Sequence, residues 1–318
     1  MNAVGVDVGG TKIAAGVITP QGEALSRVRY PTSSSPEILL STLVRAINEV
    51  REGFEVGGVC LSVPGFVSER ENRVVYSPNL HAVEGIPLKE VLEPRIGLPL
   101  TVENDANAAA WGELRFGLGR EVEHLVMVTL GTGIGGGVIS HGILLRGAQG
   151  AAGELGHVTV LPDGPRCACG NRGCLEVMAS GTSIGRRARE VAARYPGSAL
   201  AELAMEREIV GEDVSRLAAA GDEGALAVLA ETGRWLGMGL ASFVNVFNPE
   251  VVAIGGGAVD AGEPLLGPAR EEVRLRARPP SRDLVVVKGA TLGPESGMFG
   301  AAALARDPKT GRYILDEA

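Results

Sequence analysis

His157 is followed by Cys167, Cys169 and Cys174 in the spacing H-x9-C-x-C-x4-C, with Pro165, Gly170 and Gly173 supplying turns between them. Three of the chain's four cysteines fall within this short stretch. One imidazole and three thiolates make a closed tetrahedral set of the kind that holds zinc in a structural role. Redox thiols are the competing use of such a cluster. Cys60 lies apart in an apolar run and reads as a buried core thiol.

Two glycine-rich segments offer backbone N–H groups to an anion. Asp7-Val8-Gly9-Gly10-Thr11-Lys12 joins a carboxylate to a turn bearing a hydroxyl and a cation, and Gly131-Thr132-Gly133-Ile134-Gly135-Gly136-Gly137 is the second segment. Glycine permits positive φ and lets the backbone approach phosphate closely. Asp7 is placed to hold Mg2+ through water. The second segment matches G-x-G-x-x-G at Gly131, Gly133 and Gly136, but a dinucleotide fingerprint needs a helix next, and Val138-Ile139-Ser140 is β-type. No P-loop motif is present. Each segment alone also fits an ordinary tight turn. Together they predict two phosphate-cradling hairpins, one on each of two related halves, facing a common cleft.

Glu103-Asn104-Asp105-Ala106-Asn107 precedes an Ala-rich helix. Asn104 or Asp105 could simply cap that helix. The chemical alternative makes Asp105 a general base in phosphoryl transfer, where positioning and charge stabilisation do most of the work. Glu154 and Glu176 bracket the cysteine cluster, and a carboxylate that accepts several hydrogen bonds suits sugar hydroxyls, although surface carboxylates are equally ordinary. Asn79, in Ser77-Pro78-Asn79-Leu80, is either a turn residue or a polar ligand. His81, His124 and His141 show no partner pattern and read as structural or surface groups.

The elements that must position these residues follow from periodicity and turn signals. Strands are predicted at Ala3–Val8, Lys12–Ile18, Ala24–Tyr30, Val56–Val63, Leu100–Glu103, Leu125–Leu130, Gly137–Ile139, Ile143–Leu145, Val251–Ile254 and Leu284–Lys288. Helices are predicted from Pro36 to Val50, from Ala106 to about Glu113, over Glu223–Val246 and over Gly297–Ala305. The basic run Arg186-Arg187-Ala188-Arg189 falls in a helical pattern and reads as a solvated face.

At 318 residues with 45% apolar and 21% charged side chains, the chain can bury a sizeable core across two domains. The net charge of −8 disfavours a nucleic-acid backbone binder. Leu125–Leu145 carries no Asp, Glu, Lys or Arg, yet its glycines and polar residues leave it short of the apolar density of a membrane span. No signal peptide is visible, and a cytoplasmic location with no membrane partner is expected.

Taken together, Asp7–Lys12, Glu103–Ala109, Leu130–Gly137, Gly150–His157 and Cys167–Glu176 resemble the ROK family (repressors, open reading frames and sugar kinases), nearest its zinc-binding glucokinase branch. The resemblance runs from about residue 3 to 305. It implies an α/β protein with two ribonuclease-H-like domains of the actin-like ATPase fold around an interdomain cleft. Residues 1–109 plus 300–318 would form the small domain, and 110–299 the large domain with the zinc site. It also implies an ATP-dependent hexose kinase acting on the 6-hydroxyl of glucose. Fructose, mannose or N-acetylhexosamine kinases, or a catalytically idle sugar sensor, are the alternatives.

By the same resemblance Asp105 is the catalytic base. Asn79, Asn104, Asp105, Glu154, His157 and Glu176 would contact the sugar. His157 would also ligate zinc with Cys167, Cys169 and Cys174. Gly9, Gly10, Thr11, Lys12, Thr132 and Gly133 would hold phosphates, and Gly256, Gly257 and Ala258 would lie near adenosine. ATP with transient Mg2+ and structural zinc are the implied cofactors, and a homodimer or homotetramer the implied assembly. Family repressors carry a helix-turn-helix region before the kinase core; this chain opens on its first strand, so a DNA-binding role is not expected.

Overall fold

The structure, a computed structural model, describes residues 1–68 and 73–306. In chain order the first half comprises β1 (Asn2–Val8), β2 (Lys12–Ile18), β3 (Ala24–Pro31), α1 (Pro36–Val50), β4 (Val56–Val63), β5 (Phe66–Ser68), β6 (Arg73–Tyr76), α2 (Leu88–Ile96), β7 (Leu100–Asn104) and α3 (Asp105–Phe116). Then follow β8 (Leu125–Leu130), β9 (Ile134–Ser140), β10 (Ile143–Leu144), α4 (Leu175–Ala179), α5 (Gly181–Ala192), α6 (Ala199–Glu206), α7 (Gly211–Ala219) and α8 (Glu223–Phe247). β11 (Val251–Gly255), α9 (Glu263–Arg276), α10 (Ser281–Leu284), β12 (Val286–Gly289) and α11 (Ser296–Arg306) complete the described chain. The predicted fold class, mixed α/β in two units, is what is observed.

The first unit takes in Met1–Met127, Gly137–Gly153 and the segment from Thr291. Its sheet has the order β3-β2-β1-β4-β7. β1 and β2 form an antiparallel hairpin, while β1–β4 and β4–β7 run parallel. β4 is buried over its last six residues, as a parallel strand covered on both faces must be. α1 starts with Pro36 at its first turn and buries Leu39, Leu43, Ala46, Ile47 and Val50 on one stripe. α11 packs on β1 and α3, so the C-terminal helix lies with the first strands. The approach is close because residue 300 is glycine: any Cβ there would strike the backbone of Ala108. α3 stays whole in this unit, whereas a boundary at residue 109 would cut it.

The second unit takes in Val128–Gly136 and Glu154–Ala290. α4 to α9 make up most of it, with α8 against α9, α7 and α5. α8 is capped by the Asp222 carboxylate, which accepts from Ala225 N at 2.8 Å. It ends at Asn248, whose φ of +46° is left-handed, directly before Pro249. β8 to β12 lie in one sheet of order β10-β9-β8-β11-β12, with β11 and β12 parallel.

Two strand predictions shift. β9 begins at Ile134 instead of Gly137, because glycines 135 to 137 extend into the ladder and only residues 131 to 133 turn. β12 begins at Val286 instead of Leu284, because Ser281–Leu284 closes a helical turn first. Leu125–Leu145 is strand, turn and strand, and among the described residues no helix is long and apolar enough to cross a membrane.

Candidate active site

Parallel pairing in the first unit brings the C-terminal ends of β1, β4 and β7 side by side. Asp7 pairs in register with Ser62, and Ser62 with Glu103, so three polar side chains stand in a row at one sheet edge. The carboxyl ends of parallel strands are where α/β sheets bind ligands. Ser62 Oγ donates to Asp7 Oδ1 at 3.0 Å. Burial raises the pKa of Asp7, opposed by this hydrogen bond and by the charge of Lys12.

The turn after β1 is closed by Gly9 N donating to Lys12 O at 2.9 Å and by Thr32 Oγ1 donating to Gly9 O at 2.7 Å. Gly10, Thr11 and Lys12 are exposed on it. Asn79 is brought beside this turn: a Cβ on Gly10 would sit 3.1 Å from the Asn79 carbonyl oxygen.

At the end of β7, Asn104 caps α3, its Oδ1 accepting from Ala106 N at 2.9 Å and Asn107 N at 3.1 Å. Its Nδ2 donates to Gly65 O at 3.0 Å. The capping role foreseen for this segment therefore falls to Asn104. Asp105, the first helical residue, is exposed, and its Oδ1 accepts from Ala106 N at 2.8 Å. A helix N-terminus favours an anion here. Beneath it Glu103 is buried and accepts from Arg146 Nε at 2.7 Å, from Asn107 Nδ2 at 3.0 Å and from Asn104 N at 2.9 Å. The joint that carries Asn104 and Asp105 is thus fixed from below by a buried ion pair.

In the second unit the turn of residues 131 to 133 is held by the start of α5. Gly181 N donates to Gly131 O at 2.8 Å, and Thr182 Oγ1 donates to Thr132 O at 2.8 Å. Glu176 Oε2 accepts from Ile134 N at 3.0 Å. This turn borders a cavity of about 650 Å³ that Gly257 and Ala258 also line, within the range of small-molecule sites. Gly256 beside it has φ +86° and lies against the Leu130 backbone, so only glycine fits. The structure therefore gathers Thr132, Gly257 and Ala258 at one cavity.

The cavity's other wall was not legible. Arg186 and Arg189 line it, together with Glu208, Glu212 and Ser215. The solvated-face reading of this basic run holds for Arg186 and Arg189, which are exposed, and is corrected at Arg187. Arg187 is buried and donates to Met178 O and to Thr232 Oγ1, each at 3.0 Å, because α5 turns that side toward α8. Arg189 pairs with Glu208 at 2.5 Å.

His157, Cys167, Cys169 and Cys174 converge, with ligand atoms all within 4.8 Å of one another. Cys167 Sγ lies 3.7 Å from His157 Nδ1, and Cys169 Sγ lies 3.7 Å from Cys174 Sγ. A tetrahedron with Zn–S near 2.3 Å and Zn–N near 2.0 Å has edges of about 3.8 Å between sulfurs and about 3.5 Å from sulfur to nitrogen. The set fits zinc. Burial pushes the thiols of Cys167 and Cys174 up, the latter to about 12, while a hydrogen bond from the Asn171 backbone lowers Cys169. His157 Nε2 points the other way, 3.8 Å from Glu154 Oε2, and Glu176 Oε1 lies 3.8 Å from Cys167 Sγ.

Residues 3–308 match the ROK family. The chain belongs to the ROK family. This ROK protein is 41% identical over 310 residues to a glucokinase of Streptomyces coelicolor, covering 96% of this chain and 98% of that one. Among solved structures it is similar to a ROK family glucokinase from Streptomyces griseus in complex with glucose and AMPPNP, with TM-score 0.84 and 40% identity over 96% of this chain and 99% of that one. A ROK hexokinase from Thermus thermophilus has TM-score 0.80 and 36% identity, covering 96% and 98% of the two chains.

Proposed function

We propose that this ROK protein is an ATP-dependent glucokinase, moving the γ-phosphoryl group of ATP to the 6-hydroxyl of glucose to give glucose 6-phosphate and ADP. The likeness to the Streptomyces griseus glucokinase, whose structure holds glucose and a nucleotide analogue, carries this conclusion. The chemistry-bearing residues of both units support it.

In the first unit Asp105 takes the proton of the 6-hydroxyl as that oxygen forms its bond to the γ-phosphorus and the bond to the β-phosphate oxygen breaks. Asn79 offers its amide group, and Asn104 its remaining Nδ2 proton, to other hydroxyls, and the turn Gly9–Lys12 offers N–H groups, a hydroxyl and a cation to phosphate. In the second unit Glu154, His157 and Glu176 orient the sugar. Thr132 and Gly133 hold phosphate, and Gly256, Gly257 and Ala258 border the adenosine end of the cavity. Mg2+, bound with the nucleotide near Asp7, would neutralise phosphate charge. His157 Nδ1 and the three cysteines would hold zinc, which fixes the loop and leaves Nε2 to face the sugar. Thiols kept reduced for that purpose suit the cytoplasm.

An ADP-coupled assay across hexoses, with ATP and Mg2+, tests the assignment. Glucose-dependent ADP release, with glucose 6-phosphate as product, is expected. No sugar-dependent turnover, or a clear preference for fructose, mannose or an N-acetylhexosamine, would overturn it.

A further inference from the structure

His124 and His141, which show no pattern in the sequence, meet in the structure. Their ring centroids are 4.5 Å apart with planes at 73°. Glu123 joins them, and one ligand-capable atom from each of the three lies within 4.8 Å of the others. From this juxtaposition we propose a second metal site, outside the Cys/His set, that takes a divalent first-row transition-metal ion on Glu123, His124 and His141.

The backbone builds the cluster. His141 and Gly142 form the two-residue turn between β9 and β10, with φ of +53° and +68°. Both central residues of such a hairpin turn are left-handed, and for histidine that conformation is uncommon. The turn is held in place because Gly142 N donates to Glu123 O at 2.8 Å and Leu145 N donates to Val138 O at 2.8 Å. Residue 123 is therefore fixed beside residue 142, and His124 beside Ser140 and His141. Ser140 Oγ lies 3.2 Å from His124 Nδ1. A hydrogen bond at the second ring nitrogen is what orients metal-bound imidazoles.

The ring spacing is also chemically apt. With metal–nitrogen bonds of about 2.0–2.1 Å, imidazole centroids sit about 3.2 Å from the ion, and two on cis positions are about 4.5 Å apart. Two imidazoles and one carboxylate, with open positions for water, select Zn2+, Ni2+ or Cu2+ over Mg2+ or Ca2+. Glu123 and His141 are exposed, so their side chains can close on an ion without disturbing the core.

The test uses the untagged full chain with its Cys/His set loaded with zinc. Equilibrium dialysis against Ni2+, with nickel and zinc counted separately, should give one nickel per chain beside one zinc. His141→Asn keeps a residue that tolerates the left-handed turn, and with His124→Gln it should weaken nickel binding at least about tenfold while zinc stays at one. Nickel binding unchanged in that double variant, or no nickel taken up by the wild-type chain at micromolar concentration, would overturn the site. Loss of zinc together with nickel would show general damage, and Glu123→Gln then decides: unchanged nickel affinity in that variant also counts against the site.

Discussion

The carboxylate of Glu176, near the start of α4, accepts a hydrogen bond from the backbone N–H of Ile134 at 3.0 Å. Ile134 is the first residue after the second glycine turn, and the other Glu176 oxygen lies 3.8 Å from Cys167 Sγ. One side chain therefore lies between the turn of residues 131 to 133 and the cysteine loop.

Glu176 also reaches over residue 133, which has no side chain. A Cβ on Gly133 would run into Glu176 Oε2. Gly133→Ala should displace either the carboxylate or the turn, and a displacement near 1 Å in a phosphoryl-transfer site costs about a hundredfold in rate. Steady-state kinetics with glucose and ATP, beside a zinc count, checks this. Near-normal turnover would mean that the contact carries no catalytic weight.

Metal removal should act on the same region. Metal analysis of reduced protein should find one zinc per chain, and Cys174→Ser should lose it. A strong chelator should lower both the melting temperature and the apparent sugar affinity, since a structural zinc contributes folding free energy directly. Zinc-free protein with unchanged sugar affinity would separate the loop from the sugar.

The contrast between these two regions and the cavity wall shows what a sequence exposes. The cysteine loop, the turn at Gly9–Lys12 and the Asn104 cap are local, with spacing and residue type sufficient to define them. Arg187 looked like its solvated neighbours, because its burial depends on α5 packing against α8, which no short-range pattern encodes. His124 and His141 meet only through the β9–β10 turn and its hydrogen bond to Glu123. Glu208 and Ser215 reach the cavity by tertiary placement of α7 and the segment before it. Asp7 and Glu103 became neighbours of Ser62 through strand register.

Asn104 and Asp105 are adjacent yet should fail differently. Asp105→Asn removes the proposed base and should lower turnover by about 10²- to 10⁴-fold with little change in melting. Asn104→Ala removes the cap bonds to Ala106 N and Asn107 N and should cost about 1 kcal/mol of stability. Paired kinetics and urea denaturation distinguish the two. Substantial turnover in Asp105→Asn would displace Asp105 from its role.

The Glu103–Arg146 pair beneath them is about nine-tenths buried on both sides. Removing one partner of such a pair leaves an uncompensated buried charge and costs about 3–5 kcal/mol. Arg146→Met should therefore destabilise far more than Asn104→Ala in the same denaturation series. If the two variants unfold at the same urea concentration, the pair is not holding the joint.

Acid should weaken the second unit at α7. Asp213 is held by Arg207, whose guanidinium donates at 2.6 and 2.8 Å, and this lowers its pKa from 3.8 to about 2. It also accepts from Val210 N at 3.2 Å, fixing the start of a helix that borders the cavity. A carboxyl with a depressed folded-state pKa stabilises the fold above its unfolded value and loses that contribution as pH falls through the folded value. Asp213→Asn should therefore lower the urea midpoint at pH 7. Its deficit relative to wild type should shrink as pH falls from 3.8 to about 2. A deficit that stays constant over that range would assign the loss to packing and not to the ion pair.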